Sequence, residues 1–168
     1  MSIQMQPTSK RRVLAIDPGY DRVGVAIIDD EKKPSLIFSE CITTNAKDSI
    51  SARIYTIGVR IAQLIETYHP SALAIEKLYF TTNQKTAMAV AESRGVVLYE
   101  AYKNNLFVFE YTPIEIKVAV TGYGKATKEN VHTMVQKLIS LTEKKRLDDE
   151  IDAIAIGLTC LARERLHY

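Results

Sequence analysis

The fold is decided at residues 11–28, which read RRVLAIDPGYDRVGVAII. Two apolar runs, at residues 13–17 and 23–29, are typical of β-strands, and the segment PGYDR between them is typical of a tight turn. The first run ends in a bare carboxylate, Asp17, directly before Pro18. That acid is either a turn residue, because Asp and Pro suit the first two positions of a type I turn, or one ligand of a metal site.

The segments that follow extend the sheet. A strand-like run after Pro34 carries Leu36, Phe38 and Glu40 on one face and completes an antiparallel meander of three strands. Two continuous apolar runs, ALAIE at residues 72–76 and LFVFEY further on, suit strands that are buried on both faces.

Helical patterns alternate with these strands and follow them. Their expected bounds are residues 48–68, 83–103, 113–120, 127–141 and 151–166. The order of elements predicts an α/β fold with a five-stranded mixed sheet, its first three strands antiparallel, flanked by helices.

Length and composition indicate one folded domain. A chain of 168 residues that is 46% hydrophobic can bury a full core without crosslinks. Residues 1–12 have no apolar segment of the signal-peptide kind, so we expect a disordered basic tail followed by a single domain at residues 13–168. No apolar run approaches the length of a membrane span. Cys41 and Cys160 lie in apolar surroundings with no metal-like spacing, which favours reduced thiols in a cytoplasmic protein.

The net charge is uninformative by itself. Lys and Arg total 22 against 20 Asp and Glu, a formal charge of +2. Nucleic-acid binding is therefore neither indicated nor excluded, and depends on how the charges are distributed over the surface.

Acids recur at the ends of elements. Glu76 ends the fourth strand, where it has no turn or capping role. If the first and fourth strands are parallel neighbours, Asp17 and Glu76 lie together at their carboxyl ends. Asp149 and Asp152 are spaced i, i+3 at the start of the last helix and can share one side. Their alternative role is capping, with Asp149 as N-cap and Asp152 in the first turn.

Such a cluster of carboxylates suits metal-assisted cleavage of phosphodiesters. Clustered acids repel one another unless cations neutralise them. Mg²⁺ prefers oxygen ligands, and two ions about 3.5–4 Å apart can activate water and stabilise the leaving oxygen. The chain offers no clear Ser, Cys or His nucleophile as an alternative.

Four blocks of the sequence carry a resemblance to a known family. In order, they are LAIDPGYDRVGVAII, LAIEKLYFTTNQKTAMAVAESRGVVL, VFEYTPIEIKVAVTGYGKATKENVHTMV and DDEIDAIAIGLT. Together they cover most of the chain, which resembles the RuvC family of Holliday-junction resolvases. The resemblance implies a ribonuclease-H-like nuclease that makes paired symmetric nicks in four-way DNA junctions, in recombination and repair.

The resemblance also implies a catalytic site. Asp17, Glu76, Asp149 and Asp152 fall on the family's four catalytic acids. They would bind two Mg²⁺ ions, with Mn²⁺ able to substitute, and direct water at the scissile phosphate to leave 5′-phosphate and 3′-hydroxyl ends.

DNA contacts are implied at several positions. Tyr79 falls where the family places an aromatic residue near the branch point, and Lys117 and Lys128 fall on basic positions that hold phosphates. Lys77 and Lys125 could add phosphate contacts, with solvated surface charge as the alternative for Lys125.

A stripe of small residues, Ala87, Ala91 and Gly95, matches the family's dimer helix, so a homodimer is implied. Packing of that stripe against the chain's own sheet is the alternative. The resemblance leaves open whether a branch-migration motor complex is a further partner. The sequence also leaves the role of Asp21, close to Asp17, unexplained.

Parts of the sequence also resemble other classes of protein. IDPG also resembles the phosphate loop of actin-like ATPases and sugar kinases, but these need a second loop and an adenosine-binding lobe, for which 168 residues leave no room. TGYGKATK is not a P-loop, because Ala119 replaces its first glycine and Ala126 its Ser or Thr. A nuclease acting on RNA or an RNA–DNA hybrid, and a non-catalytic junction-binding protein, stay open as alternatives.

Overall fold

The computed structural model describes residues 11–78, 84–141 and 144–164. Within these residues the chain forms five strands and five helices. They are β1 (Arg12–Asp17), β2 (Arg22–Asp29), β3 (Ser35–Thr43), α1 (Ile50–Tyr68), β4 (Ala72–Glu76), α2 (Gln84–Lys103), β5 (Phe107–Tyr111), α3 (Pro113–Thr121), α4 (Lys128–Leu138) and α5 (Asp148–Arg163).

The five strands form one mixed sheet in the order β3-β2-β1-β4-β5. β2 pairs antiparallel with β1 and β3, whereas β4 pairs parallel with β1 and β5. The predicted α/β fold is therefore confirmed. Ile16 of β1 lies opposite Ile75 of β4, so the next residue of each strand, Asp17 and Glu76, emerges at the same edge of the sheet.

Both faces of the sheet are covered, which explains the continuous apolar runs. Leu14 and Ile16 of β1 point into a core shared with α1 and α2. Val13 and Ala15 point into a second core shared with α3, α4 and α5. Because alternate side chains of a strand face opposite sides of the sheet, a strand between two helical layers needs an apolar residue at every position.

The turn after β1 is sharp because residue 19 has no side chain. A Cβ on Gly19 would lie 2.0 Å from the carbonyl oxygen of Arg22. With this close approach the hairpin reverses directly, and Asp17 is held at the end of β1 opposite Gly24 of β2.

The folded domain begins before the predicted boundary at residue 13. Arg12 is the first residue of β1, and its guanidinium binds both carboxylate oxygens of the buried Asp29. The Arg11 side chain is buried and donates to the carbonyl oxygens of Cys160 and Glu164 at the end of α5. Both arginines therefore belong to the domain and not to a basic tail, and the rest of the predicted tail lies outside the described residues.

The face prediction for β3 is wrong at one position. Phe38 pairs with Ile27 but Leu36 pairs with Ile28, so residue 37 forms an irregularity in the ladder. Leu36 packs on the α5 side of the sheet, whereas Phe38 packs on the α1 side. A bulge of this kind inserts one residue and reverses the alternation.

Helix bounds differ from the predicted ones by up to three residues. α1 begins at Ile50 with Ser49 as N-cap, α4 ends at Leu138, and α5 begins at Asp148. Thr127 is the N-cap of α4, as predicted. Cys160 is buried, whereas Cys41 is partly exposed, and both thiols are free. No helix among the described residues is long and apolar enough to cross a membrane.

Candidate active site

Three of the four predicted acids line one cleft at the carboxyl edge of the sheet. The cleft has a volume of about 320 Å³ and receives Asp17 from β1, Glu76 from β4 and Asp152 from α5. Lys117 of α3 and Lys128 of α4 line its other side. Three separate segments thus bring carboxylates to one place, and the parallel pairing of β1 and β4 accounts for two of them, Asp17 and Glu76.

Helix α5 reaches this place because β2 carries a glycine under its first turn. A Cβ on Gly24 would lie 1.9 Å from the carbonyl oxygen of Asp149. Since Gly24 pairs with Asp17 in the sheet, this contact sets the start of α5 beside the end of β1. Helix backbone and strand backbone meet here with no side chain between them.

The capping role considered for Asp149 is wrong. The N-cap of α5 is Leu147, so Asp149 is the second residue of the helix and Asp152 the fifth. The Glu150 carboxylate accepts the Leu147 backbone N–H at 3.3 Å and takes the capping role instead. Asp149 and Asp152 are therefore not needed to cap the helix.

Asp149 lies beside the cleft and is not one of its lining residues. Its Oδ2 atom is buried and makes no hydrogen bond to any described residue. The nearest cation is Arg22, whose Nε is 3.4 Å away, an ion-pair distance. A buried carboxylate oxygen without a hydrogen bond is costly, and a cation placed there would relieve that cost.

The electrostatics of the cleft favour protons or cations. Burial, reinforced by the charges of Asp152, Glu76 and Asp149, raises the pKa of Asp17 to about 8, and Lys128 only partly opposes this. Burial and the charge of Asp152 also raise the pKa of Glu76. Carboxylates whose pKa is raised by burial and by one another are frequent at functional sites.

Lys128 supplies one positive charge in the cleft. Its Nζ atom lies 3.0 Å from Oδ2 of Asp152 and 3.5 Å from Oδ2 of Asp148. Burial lowers the pKa of Lys128, but the hydrogen bonds and charges of Asp152 and Asp148 together outweigh it, so the pKa is raised. Lys128 is therefore a charged partner of one of the acids.

His132 was missed by the sequence reasoning. Its Nε2 atom lies 2.9 Å from Oδ1 of Asp152. The available signal was its spacing, since His132 is four residues after Lys128 and on the same side of α4. Nothing local to residue 132 indicates the acid, because Asp152 is twenty residues further on.

Arg94 was also missed. It lies on α2, and its Nε donates to the carbonyl oxygen of Glu76 at 3.2 Å. Its terminal nitrogen pairs with the carboxylate of Glu110 on β5. Arg94 thus fixes the end of β4, from which the Glu76 side chain leaves.

Asp21 has a structural explanation. Its carboxylate pairs with Arg53 of α1, whose side chain is 6% exposed. Arg53 also donates to Oγ1 of Thr44 at 2.8 Å and lies over the ring of Tyr20. Asp21 does not line the cleft, and its role is to anchor the β1–β2 turn to α1.

The ligand atoms of the four predicted acids are of the type that a hard cation binds. Asp17, Glu76, Asp149 and Asp152 offer only carboxylate oxygens, which Mg²⁺ and Mn²⁺ prefer. Among the described residues, no three potential ligands stand close enough together to hold an ion as they are. At Asp152, Lys128 and His132 each hold one of the two carboxylate oxygens.

The predicted DNA-contact residues have different surroundings. Lys117 and Lys128 line the cleft, whereas Lys77 and Lys125 are exposed outside it. The prediction for Tyr79 falls outside the described residues.

Two of the three small residues predicted to form the dimer stripe of α2 face solvent, whereas Ala87 is only partly exposed. Ala91 and Gly95 are exposed, and a Cβ on Gly95 would meet nothing within 4 Å. A different side of α2 packs against the chain's own core, and its buried members are Ala89, Ser93, Val97 and Ala101. Packing against the chain's own sheet therefore does not explain the exposed part of the stripe.

Known proteins match nearly the whole chain. The family model for "Crossover junction endodeoxyribonuclease RuvC" matches residues 13–160. The proteins of that name from Moorella thermoacetica and Fusobacterium nucleatum are 43% and 40% identical to the chain, over 87% and 88% of it. These matches cover 88% and 78% of the two relatives.

Solved structures agree with the sequence comparison. The structure of Thermus thermophilus RuvC in complex with Holliday junction substrate is similar, with a TM-score of 0.85 and 30% identity, over 90% of this chain and 93% of that one. The yeast mitochondrial Holliday junction resolvase Ydc2 shares the fold, with a TM-score of 0.69 at 13% identity. The predicted ribonuclease-H-like architecture is thereby confirmed. The chain belongs to the RuvC family of crossover junction endodeoxyribonucleases.

Proposed function

We infer that this protein is an endodeoxyribonuclease that resolves four-way DNA junctions with the help of divalent metal ions. The observation that carries the inference is the convergence of Asp17, Glu76 and Asp152 on one cleft that Lys117 and Lys128 also line. Family membership over residues 13–160 supports the substrate class, since a similar protein was solved with a Holliday junction.

Asp17, Glu76, Asp149 and Asp152 would hold two Mg²⁺ or Mn²⁺ ions. When bound, such ions supply an activated water and stabilise the charge on the leaving oxygen. The side chains contribute by burial, because a partly desolvated carboxylate such as Asp17 gains more from a cation than a solvated one does.

Lys117 and Lys128 would hold the phosphate. Both line the cleft, and a lysine ammonium is a compact donor with three N–H groups that suits phosphate oxygens. Lys77, the residue after β4, and Lys125, in the loop before α4, stay candidate contacts to the arms, and Tyr79 stays a candidate contact to the branch point. Affinity would then depend on salt, because phosphate neutralisation releases counterions.

A homodimer would place two such clefts on one junction. The exposed side of α2 carries large apolar groups at helical spacing around its small residues: Met88, Tyr99 and Tyr102 are 67%, 64% and 67% exposed. Together with Ala91 and Gly95 they form a face that suits close packing of another helix. Two clefts related by a two-fold axis would nick two strands symmetrically.

Substrate choice tests the proposed activity. A mobile four-way DNA junction, a linear duplex and an RNA–DNA hybrid of matched sequence are incubated with the protein in Mg²⁺. We expect paired nicks in the junction and far slower cutting of the other two. Equal cutting of the hybrid would favour the ribonuclease alternative, and tight junction binding without any cutting would favour the non-catalytic one.

Sedimentation tests the dimer. Ala91→Glu places a charge on the exposed face of α2, and Ala46→Glu makes the same change at an exposed position before α1. We expect the wild type and Ala46→Glu to sediment as dimers and Ala91→Glu as a monomer. An unchanged dimer in Ala91→Glu would exclude this face as the interface.

A further inference from the structure

We infer that His132 is a positioning residue, which holds one oxygen of the Asp152 carboxylate so that the other stays directed at the cleft. The inference rests on the proposed function, because it assigns Asp152 to the metal-binding set. It concerns a residue that neither the motifs nor the family resemblance singled out.

The two oxygens of Asp152 are divided between two residues of α4. Oδ1 lies 2.9 Å from Nε2 of His132, and Oδ2 lies 3.0 Å from Nζ of Lys128. This arrangement links α4 to α5 at the cleft. A carboxylate held at both oxygens cannot rotate about its terminal torsion without breaking a contact.

Helix α4, which carries His132, is capped and packed against the core. α4 begins with a capping box, in which Thr127 and Asn130 each accept the other's backbone N–H. Val131 and Val135, on either side of His132 in the helix, are buried in the core shared with α5. The imidazole thus stands on a packed helix and reaches its partner through only two side-chain torsions.

The two partners differ in what they do when a cation arrives. The Lys128 side chain is 52% exposed and long, so it can leave Oδ2 for a phosphate oxygen, and a cation at Asp152 would repel it. The His132 side chain is only 17% exposed. His132 could therefore keep its hydrogen bond to Oδ1 when Lys128 leaves Oδ2, and Asp152 would still be directed at the cleft.

Direct metal binding by His132 fits the geometry less well. His132 is not among the residues that line the cleft, and its Nε2 atom is already engaged with Asp152. Groups that orient a metal-binding side chain in this way typically change metal affinity or activity by about 10–100-fold when they are removed.

Two substitutions separate hydrogen bonding from packing. His132→Gln keeps an N–H donor near the position of Nε2, whereas His132→Leu fills similar space without a donor. Gln136→Leu is the control, because residue 136 is exposed one turn further along α4 and outside the cleft. If His132→Leu fails to fold, His132→Asn replaces it, because its amide is too short to reach Asp152.

Mn²⁺ affinity is measured by calorimetry in the absence of DNA. The Tm and the junction affinity of each variant are measured in EDTA. We expect His132→Leu to bind Mn²⁺ about 10–100-fold more weakly than wild type, with junction affinity unchanged. His132→Gln should recover most of the loss, and Gln136→Leu should match wild type.

Two results would overturn the inference: wild-type Mn²⁺ affinity in His132→Leu, or a loss in His132→Gln as large as in His132→Leu. A different result would contradict the proposed function. In that case the wild type itself binds no Mn²⁺, and the inference falls with the metal site.

Discussion

Replacing Asp17 by Asn should stabilise the metal-free protein at alkaline pH, although it removes a residue of the candidate active site. Burial and three neighbouring acids raise the pKa of Asp17 from 3.8 to about 8. In the unfolded chain the carboxyl loses its proton near its ordinary pKa. Between those two values the folded state holds a proton that the unfolded state lacks.

The sign of the effect follows from this difference. When the folded state binds the extra proton, the free energy of unfolding falls as pH rises. The favourable contribution of protonated Asp17 is complete below about pH 4 and is lost progressively as pH rises towards about 8. Asn carries no charge at any pH, so Asp17→Asn removes this dependence.

The size of the effect has a ceiling set by the pKa shift. About four pH units at roughly 1.4 kcal/mol each give a ceiling of ~6 kcal/mol. The cleft is open to water, which screens the repulsion between the acids, so we expect a gain of about 2–3 kcal/mol near pH 8. For a chain of this size that corresponds to roughly 4–12 °C in Tm.

The assay is thermal and urea unfolding in EDTA across about pH 5 to 8, at one protein concentration. Asp17→Asn should exceed wild type at the alkaline end, and the difference should shrink towards pH 5. Asp21→Asn is the matched control: because Asp21 pairs with Arg53, that variant should gain no stability at any pH. A constant difference between Asp17→Asn and wild type, or no gain at pH 8, would refute the reasoning.

Three further outcomes are expected. Gly24→Ala puts a Cβ 1.9 Å from the carbonyl oxygen of Asp149. Unfolding should therefore show a loss of about 2 kcal/mol or more, and junction cleavage should fall. Arg53→Met removes the hydrogen bonds that hold Asp21 and Thr44, and urea unfolding should show a loss of about 1–3 kcal/mol. EDTA should abolish junction cleavage while gel-shift binding persists.

The sheet and two of the acids could be predicted because their signals are local. Asp17 and Glu76 each end an apolar run of strand length, which predicts their position at a strand end. The parallel pairing of β1 and β4 brings them together. This prediction needs only the general rule that sites lie at the carboxyl ends of neighbouring parallel strands.

The sequence predicts the start of α5 three residues too late, because the N-cap is Leu147 and leucine does not favour this position. The helix is capped by Glu150 instead, and it is packed onto Gly24 of a distant strand. The face error in β3 has a similar cause, since a bulge depends on pairing with β2 and leaves no clear sign in the sequence of β3.

The contacts that complete the site join residues far apart in sequence. His132 meets Asp152, Arg94 meets the backbone of Glu76, and Asp21 meets Arg53. Each partner comes from a different element, so neither spacing nor composition identifies the pair. Charged residues are frequent on helix surfaces, and only the packed structure shows which of them are engaged.

We expect the carboxylates of this cleft to cleave a bound junction with the help of divalent metal. The most direct measurement is the single-turnover rate of cutting when Mg²⁺ is added to protein already bound to a mobile four-way junction. Loss of several kcal/mol of charge stabilisation should slow Glu76→Gln by about 10³-fold relative to wild type at equal junction binding, whereas Asp48→Asn, at an exposed acid before α1, should be unaffected. Cutting by Glu76→Gln at the wild-type rate would contradict the account.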